Sequence, residues 1–242
     1  DHTERMLRGF GYPVNVSDST ARLSGGGRLE ATRIDVPADI SSAAFFMVAA
    51  SITPGSDITL HHVGVNPTRI GVINILRQMG AKISLTNEIE VGGEPVADIR
   101  VQYAKLVGIE IPESQVPLAI DEFPAIFIAA ACAQGETILT GAKELRVKES
   151  DRIQSMADGL NNLGIDAMAT ADGIRIVGGE IGSGRVLSHH DHRIAMAFAI
   201  AGLRAQGEII VEDCSNVATS FPDFIVCAAS VGLVINTETV ND

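Results

Sequence analysis

The stretch Asp121-Glu-Phe-Pro-Ala-Ile-Phe-Ile-Ala-Ala-Ala-Cys132 would be apolar on nearly every side if it formed a helix. A helix without a polar face is buried all round. Two other segments follow the same pattern, Asp39-Ile-Ser-Ser-Ala-Ala-Phe-Phe-Met-Val-Ala-Ala50 and Asp191-His-Arg-Ile-Ala-Met-Ala-Phe-Ala-Ile-Ala-Gly202. The sequence therefore predicts three buried helices. Each begins after an aspartate, which is a favoured N-cap residue.

The segments that follow these helices repeat as well. Each apolar helix leads to a glycine, a short strand and an amphipathic helix that ends at a second glycine. The strands are Asp57–His61, Glu136–Leu139 and Glu208–Val211, and the second glycines are Gly80, Gly164 and Gly232. Strand pairs then follow at Ala81–Thr86 with Asp98–Tyr103 and at Asp166–Thr170 with Gly173–Val177. This self-similarity predicts an α/β fold of three repeated units, with parallel helices buried inside and sheets outside.

Residues 39–242 would form this repeated domain, and residues 1–38 lie outside the repeat. They read as the last helix and two strands of a preceding unit. The chain opens on Asp1-His2-Thr3-Glu4, which already resembles the acid-rich first turn of a helix. We therefore expect the chain to be cut from within a larger protein.

The charge and composition exclude several function classes. The net charge is −12, from 30 acidic and 18 basic residues, which disfavours binding to nucleic acids or anionic membranes. Aromatic residues make up 4 % of the chain and none is Trp, so stacking platforms for bases are not expected. Apolar runs stop at about ten residues, short of the roughly 18 that span a bilayer.

The three cysteines, Cys132, Cys214 and Cys227, are widely spaced and odd in number. Such spacing fits neither a disulfide framework nor a zinc ribbon. A reducing cytoplasm is therefore the simplest compartment for the chain.

One cluster of charges lies between residues 144 and 152, where the second unit passes from its strand to its outer helix. Three acidic and three basic side chains occur there, whereas the same place in the first unit has only Arg69. A solvated loop with weak surface ion pairs would explain the cluster. Ligand contacts are also common in connections between a strand and a helix, and the excess charge found in only one of the units favours a functional role for this cluster.

A second cluster, His189-His190-Asp191-His192-Arg193, leads into the third buried helix. A metal site is disfavoured, because adjacent histidines point in different directions on a helix. A charged pair at the start of an apolar helix needs a partner, which could be an anionic ligand or a protein carboxylate. The three helix N-termini could themselves form an anion site at one end, although capping alone also explains the aspartates.

Together, three cations could form a clamp for phosphate and carboxylate groups: Lys148, Arg152 and Arg193. Arginine suits planar, bidentate recognition of such anions, and lysine acts as a point charge. Asp121 and Glu149 could supply the general acid and base.

Two of these motifs, Arg146-Val-Lys-Glu-Ser-Asp-Arg152 and Asp191-His-Arg-Ile-Ala-Met-Ala197, resemble signatures of the 5-enolpyruvylshikimate-3-phosphate (EPSP) synthase family. The resemblance runs the full length of the chain. The supporting stretches are Asp1-His-Thr-Glu-Arg-Met-Leu7, Ala38-Asp-Ile-Ser-Ser-Ala-Ala44, Asn66-Pro-Thr-Arg-Ile-Gly71, Ala119-Ile-Asp-Glu-Phe-Pro124 and Ala218-Thr-Ser-Phe-Pro-Asp223.

The resemblance implies an enzyme of aromatic amino-acid biosynthesis that is the target of glyphosate. The family transfers the enolpyruvyl group of phosphoenolpyruvate to the 5-hydroxyl of shikimate 3-phosphate and releases phosphate, without a metal or organic cofactor. The reaction is an addition–elimination through a tetrahedral intermediate.

The resemblance also assigns roles to single residues. Asp121 would accept the hydroxyl proton and bind the shikimate ring, Lys148 would contact both substrates, and Glu149 would take part in proton transfer. Arg152 and Arg193 would bind phosphoenolpyruvate beside His192, and His2 would lie near the shikimate phosphate. Thr219 stands where many members carry Lys, and Glu144 where others carry Asn; both variants fit the second of the family's two sequence classes, which includes glyphosate-tolerant members.

Members of the family have two similar domains with the active site in the cleft between them. The resemblance therefore implies that this chain is the C-terminal half, with residues 1–38 as tail of the upstream domain and hinge. Its expected partners are the two substrates and the N-terminal half, and the chain alone should be nearly inactive. Two alternatives stay open: the sister transferase that acts on UDP-N-acetylglucosamine, and an anion-binding domain without catalysis.

Overall fold

Three α/β units follow one another along the chain, preceded by a helix and a hairpin, in a computed structural model that describes residues 1–238. The first segment holds α1 (His2–Gly9), β1 (Asn15–Ser17) and β2 (Thr20–Arg22). The first unit holds α2 (Ile40–Ile52), β3 (Asp57–Gly64), α3 (Gly71–Gln78), β4 (Lys82–Val91) and β5 (Glu94–Gln102). The second holds α4 (Phe123–Ala131), β6 (Glu136–Leu139), α5 (Arg152–Asn162), β7 (Asp166–Ala169) and β8 (Ile174–Val177). The third holds β9 (Gly184–Leu187), α6 (His192–Ala201), β10 (Ile209–Glu212), α7 (Val217–Ser220) and α8 (Phe224–Ser230).

The apolar segments form α2, α4 and α6, which pack against one another in the centre of the molecule. Their N-termini meet, since the Ser41 hydroxyl of α2 donates to Glu122 at the start of α4, and Arg193 of α6 donates to the Asp121 carbonyl. Their C-terminal ends also lie close together, because Ile52 of α2, Cys132 after α4 and Arg204 after α6 line one shallow depression. The helices are therefore parallel and buried, as predicted.

Two of the sheets confirm the predicted pairs of strands. In the first unit β5 lies between β3 and β4, and in the second β8 lies between β6 and β7, with all neighbours antiparallel. Each sheet packs one face on a central helix, so the sheets cover the core from outside. The third unit differs: within residues 1–238 its sheet consists of β10 paired in parallel with β9, a strand that the repeat did not predict.

The outer helices α3, α5 and α8 end as the repeat predicted. Gly80, Gly164 and Gly232 follow their last turns with φ angles of 94°, 83° and 90°. Only glycine adopts these left-handed angles without steric cost, which explains why a glycine recurs at each end.

The prediction that an aspartate caps each central helix is wrong for the second one. Asp39 and Asp191 accept hydrogen bonds from backbone N–H groups of the first turns of α2 and α6. Helix α4 instead begins after Glu122, whose side chain makes no capping bond. Pro124, in its first turn, has no N–H, so one donor that a cap would satisfy is missing. Asp121 is thereby left free to contact other side chains.

Residues 1–38 form a helix and a hairpin, as predicted, and Val14 is the one buried residue among them. Polar contacts hold α1 to the first unit. His2 Nδ1 lies 2.8 Å from Glu94 Oε1, and Asn66 Nδ2 donates to Asp1 Oδ1 over 2.8 Å. Among residues 1–238, the helices are all too short or too polar to cross a bilayer.

Candidate active site

The charged residues from both clusters come together where α4, α5 and α6 begin. Arg152, the first residue of α5, has a buried side chain that reaches three carboxylates. Its Nε donates to Asp191 Oδ2 over 2.8 Å, its Nη2 to Glu149 Oε2 over 2.6 Å, and its Nη1 lies 3.5 Å from Asp121 Oδ1. Arg152 therefore ties the connection at residues 144–152 to the first turn of α6.

Lys148 approaches the same aspartate from the connection itself. Its Nζ lies 3.3 Å from Asp121 Oδ1 and donates to Glu144 Oε1 over 2.5 Å. The hydrogen bond to Glu144 and the charge of Asp121 raise the pKa of Lys148, although burial acts against them. The ammonium group is therefore charged at neutral pH and lies within reach of an anion beside Asp121.

Arg193 enters the site from the first turn of α6. Its Nη1 donates to the backbone carbonyl of Asp121 over 2.8 Å, and the side chain is about five-sixths buried, with 16 % exposed. This bond brings one nitrogen of the guanidinium to the start of α4.

Asp121 is the centre of the cluster. Burial pushes its pKa upwards, but the charges of Arg193, Lys148 and Arg152 outweigh burial and hold the pKa below its usual value. A carboxylate with a lowered pKa is ionised at neutral pH, and 27 % of the Asp121 side chain is exposed to an incoming group. Asp121 can therefore accept a proton or a hydrogen bond from a ligand.

His192 and Glu149 lie at the edge of this cluster. Burial and then the neighbouring charge of Arg193 lower the pKa of His192, so its imidazole is neutral at pH 7. The side chain of Glu149 is 51 % exposed and is held on one side by Arg152. It is the most accessible of the carboxylates that contact Arg152, and this accessibility suits a group that exchanges protons.

Three other residues singled out in the sequence lie apart or are differently engaged. His2 contacts Glu94 and, at 3.4 Å, the Asn66 amide, so it is not joined directly to the Asp121 cluster. Thr219, in α7, uses its hydroxyl to donate to the Asn216 carbonyl. Glu144 holds Lys148, as described above.

Lys148, Arg152 and Arg193 lie close together around Asp121, as the predicted clamp would require. Each of the three cations already contacts at least one protein oxygen. Protein groups therefore remain an alternative to an anionic ligand as their partners. Arg152 is the most fully engaged, because its side chain is only 1 % exposed. An anion would reach Lys148 and Arg193 before it reached Arg152. Within residues 1–238 no three His, Cys, Asp or Glu side chains are grouped to hold a metal ion.

Sequence reasoning missed four residues that build the site. Asp191 binds Arg152 as well as capping α6, and Ser41, Arg69 and Glu122 form a second charged group beside Arg193. The signal for Glu122 was visible, because it is an acid at the start of an otherwise apolar segment. The signal for Arg69 was its isolation as the single charge in the connection of the first unit.

Known proteins match this chain over most of its length. The profile of the EPSP synthase family, described as 3-phosphoshikimate 1-carboxyvinyltransferase, matches residues 1–226. A 3-phosphoshikimate 1-carboxyvinyltransferase of Methylococcus capsulatus is 66 % identical, over 97 % of this chain and 54 % of that protein. The one from Nitrosococcus oceani is 65 % identical, over 97 % and 53 %. The chain thus spans about half the length of the curated relatives that it matches.

Solved structures give the same picture. An EPSP synthase from Acinetobacter baumannii superposes with a TM-score of 0.96 at 58 % identity, over 99 % of this chain and 56 % of that one. The enolpyruvyl transferase NikO from Streptomyces tendae has a TM-score of 0.65 at 16 % identity, over 97 % of this chain and 53 % of its own, which shows the shared fold alone. The predicted arrangement of buried helices and outer sheets is therefore that of enolpyruvyl transferases.

Proposed function

The chain belongs to the EPSP synthase family, a family of transferases, and on this premise we propose that it is the C-terminal half of an enzyme that makes 5-enolpyruvylshikimate 3-phosphate. The enzyme transfers the enolpyruvyl group of phosphoenolpyruvate to the 5-hydroxyl of shikimate 3-phosphate. One observation carries the proposal for this half: an ionised Asp121 lies between Lys148 and Arg152, beside Arg193.

Asp121 takes the proton of the 5-hydroxyl while the hydroxyl oxygen bonds to C2 of phosphoenolpyruvate. The electrons of the C2–C3 double bond take up a proton at C3, which Glu149 delivers after its exposed carboxylate has taken one up from solvent. The tetrahedral intermediate then returns a proton from C3 to Glu149 while its C2–O bond to phosphate breaks and the C2–C3 double bond reforms. The phosphate leaves with the electrons of that C2–O bond and takes up the proton held by Asp121. One carboxylate that serves the hydroxyl group and a second that serves C3 suit this sequence of proton transfers.

The cations hold the anionic groups of the substrates during these steps. Lys148 contacts both substrates from its place beside Asp121, and Arg193 binds phosphoenolpyruvate next to the neutral His192. Arg152 completes the phosphoenolpyruvate site, and its Nη2 becomes available to the ligand when Glu149 turns from it towards C3. His2 serves the shikimate phosphate from α1.

The other half of the enzyme supplies the remaining contacts. We place the division after residue 38, because residues 1–38 bury only Val14 and contact the first unit through polar groups. The chain alone is expected to be nearly inactive, since positioning of both substrates contributes several kcal/mol to catalysis. The three cysteines are free thiols, which supports work in a reducing compartment such as the cytoplasm.

A chimeric enzyme tests the proposal. In it, this chain replaces the matching part of the Methylococcus capsulatus relative, and phosphate release is measured with phosphoenolpyruvate and shikimate 3-phosphate. We expect turnover by the chimera and a baseline rate from the chain alone. In the chimera, Lys148→Ala should lower kcat/KM by about a hundred-fold or more, as loss of one transition-state contact does.

The matched control is Lys143→Ala, which removes an exposed lysine from the same connection and should leave the rate unchanged. Full activity of the Lys148→Ala chimera would contradict the assigned roles. Turnover with UDP-N-acetylglucosamine in place of shikimate 3-phosphate would identify the sister transferase, and an inactive chimera that still binds phosphate would identify an anion-binding domain.

A further inference from the structure

A buried glutamate, Glu122, lies at the point where the three central helices begin. Its side chain is 1 % exposed. Its Oε1 accepts hydrogen bonds from Ser41 Oγ over 2.5 Å and from Arg69 Nη2 over 2.9 Å. Its Oε2 is buried as well and has no hydrogen-bond partner within residues 1–238. A buried carboxylate is costly unless it is paired, so the charges around it explain its presence.

Two arginines supply those charges. Arg69 donates to Glu122 and also to the Ser41 hydroxyl, over 2.8 Å, from the connection between β3 and α3. Arg193 lies on the other side, with Nη1 3.9 Å from Glu122 Oε1. The same Nη1 donates to the carbonyl of Asp121. Glu122 therefore faces the arginine that enters the candidate active site, while its own position is set by groups outside that site.

We propose that Glu122 is a positioning residue, whose carboxylate, anchored by Ser41 and Arg69, holds the guanidinium of Arg193 against the start of α4. The inference rests on the proposed function, in which Arg193 binds phosphoenolpyruvate. Glu122 does not touch either substrate. Glu122 fixes the direction from which Arg193 approaches phosphoenolpyruvate. Through Arg193 it also sets the distance between phosphoenolpyruvate and Asp121.

Opposing influences act on the pKa of Glu122, and the net result is a pKa above its usual value. Burial raises its pKa, and the Ser41 hydroxyl and the charges of Arg69 and Arg193 act in the opposite direction, while Asp121 adds to the rise. These are the polar groups that face Glu122 from α2, from the connection at residues 66–69, from α6 and from its own segment. A residue kept only for packing would need none of them.

The sign of the effect separates positioning from a general influence of charge. If Glu122 were a background charge, its neutralisation would remove a repulsion and tighten the binding of phosphoenolpyruvate. If Glu122 positions Arg193, neutralisation frees the guanidinium and weakens that binding. Shikimate 3-phosphate, which Arg193 does not hold, should be unaffected.

The experiment uses the chimeric enzyme with Glu122→Gln, which keeps the shape of the side chain and removes its charge. We expect KM for phosphoenolpyruvate to rise about ten-fold with KM for shikimate 3-phosphate unchanged, because misplaced binding groups lose part of their effect. Glu122→Asp, which keeps the charge, should recover part of this loss. The matched control is Glu208→Gln, which neutralises an exposed glutamate in the third unit.

A second variant tests the positioning role of Glu122 if Glu122→Gln does not fold. Ser41→Ala removes one anchor of Glu122 from a helix that tolerates alanine, and it should raise the same KM by about three-fold, in keeping with one lost hydrogen bond. An unchanged or lower KM for phosphoenolpyruvate in the folded variants overturns the inference. An inactive parent chimera would instead overturn the proposed function, so the two failures can be told apart.

Discussion

The ion pair between Arg152 and Asp191 is the most deeply buried charged contact of the site. Arg152 Nε and Asp191 Oδ2 are 2.8 Å apart, and the two side chains are 1 % and 0 % exposed. Asp191 also accepts hydrogen bonds from the Ser150 hydroxyl and from the backbone N–H of Arg193. When one partner of such a pair is lost, the other is left as an unpaired charge in the interior. Arg152 therefore stabilises the site before any ligand binds.

Replacing Arg152 with methionine should destabilise the fold strongly. Arg152→Met leaves Asp191 uncompensated, and we expect the free energy of unfolding to fall by about 3–5 kcal/mol. Urea denaturation followed by far-UV circular dichroism measures the change. The control is Arg185→Met, which breaks an exposed pair with Glu212 and should cost less than about 1 kcal/mol. The double variant Arg152→Met with Asp191→Asn should recover part of the loss. Equal losses of stability in Arg152→Met and in the control Arg185→Met would contradict the argument.

At the scale of elements, the approach of α5 to α6 depends on a glycine inside a helix. A Cβ atom at Gly159 would lie 2.2 Å from the ring of Phe198, which is fully buried. A glycine in a helix normally costs about 1 kcal/mol relative to alanine, so its presence here reflects the contact. The outer helix of the second unit can therefore lie close to the central helix of the third.

Gly159→Ala should consequently destabilise the protein although alanine favours helices. We expect a loss of about 1–3 kcal/mol in the free energy of unfolding, because extra volume in a packed interior forces side chains to shift. Thermal unfolding should show a lower Tm. Asn162→Ala, at an exposed position of the same helix, serves as control and should leave Tm unchanged or higher. A stabilised Gly159→Ala variant would show that α5 moves away freely.

Sequence periodicity predicted the elements better than it predicted the contacts between them. Glu136–Leu139 was predicted as a strand with the bounds of β6, because strand and turn signals are local. Strand β9 was missed, because it precedes the helix of its unit and pairs only with β10, beyond that helix. The bond between Ser41 and Glu122 joins residues 81 positions apart, and no local pattern reports such a contact. The charge cluster was therefore predicted as a group, but the pairing within it was not.

At the scale of the whole molecule, residues 1–38 and the repeated units differ sharply in packing. Strands β1 and β2 pair with each other, and all of their residues are exposed. In contrast, every residue of α4 is buried. Local opening needs little free energy where few apolar contacts must be broken.

Hydrogen exchange should reveal this difference in the chain as it stands. We expect the amides of β1 and β2 to exchange within the shortest labelling times, whereas those of α4 should be among the slowest in the chain. In the chimeric enzyme, protection of residues 1–38 should increase, because the proposed upstream half covers them. Protection of β1 and β2 in the isolated chain as strong as that of α4 would contradict the proposed division after residue 38.

The mutual packing of α2, α4 and α6 has a consequence for how the chain unfolds. In repeat proteins that form linear arrays, each unit contacts only its neighbours, and stability is gained unit by unit. Here all three units contribute one helix to a single shared interior, so no unit keeps a core when another opens. We therefore expect the three units to unfold together in one cooperative transition, since deleting any of them would expose the apolar faces of the remaining two to water. The three repeats of the sequence thus encode one shared core, and we do not expect a single repeat to fold alone.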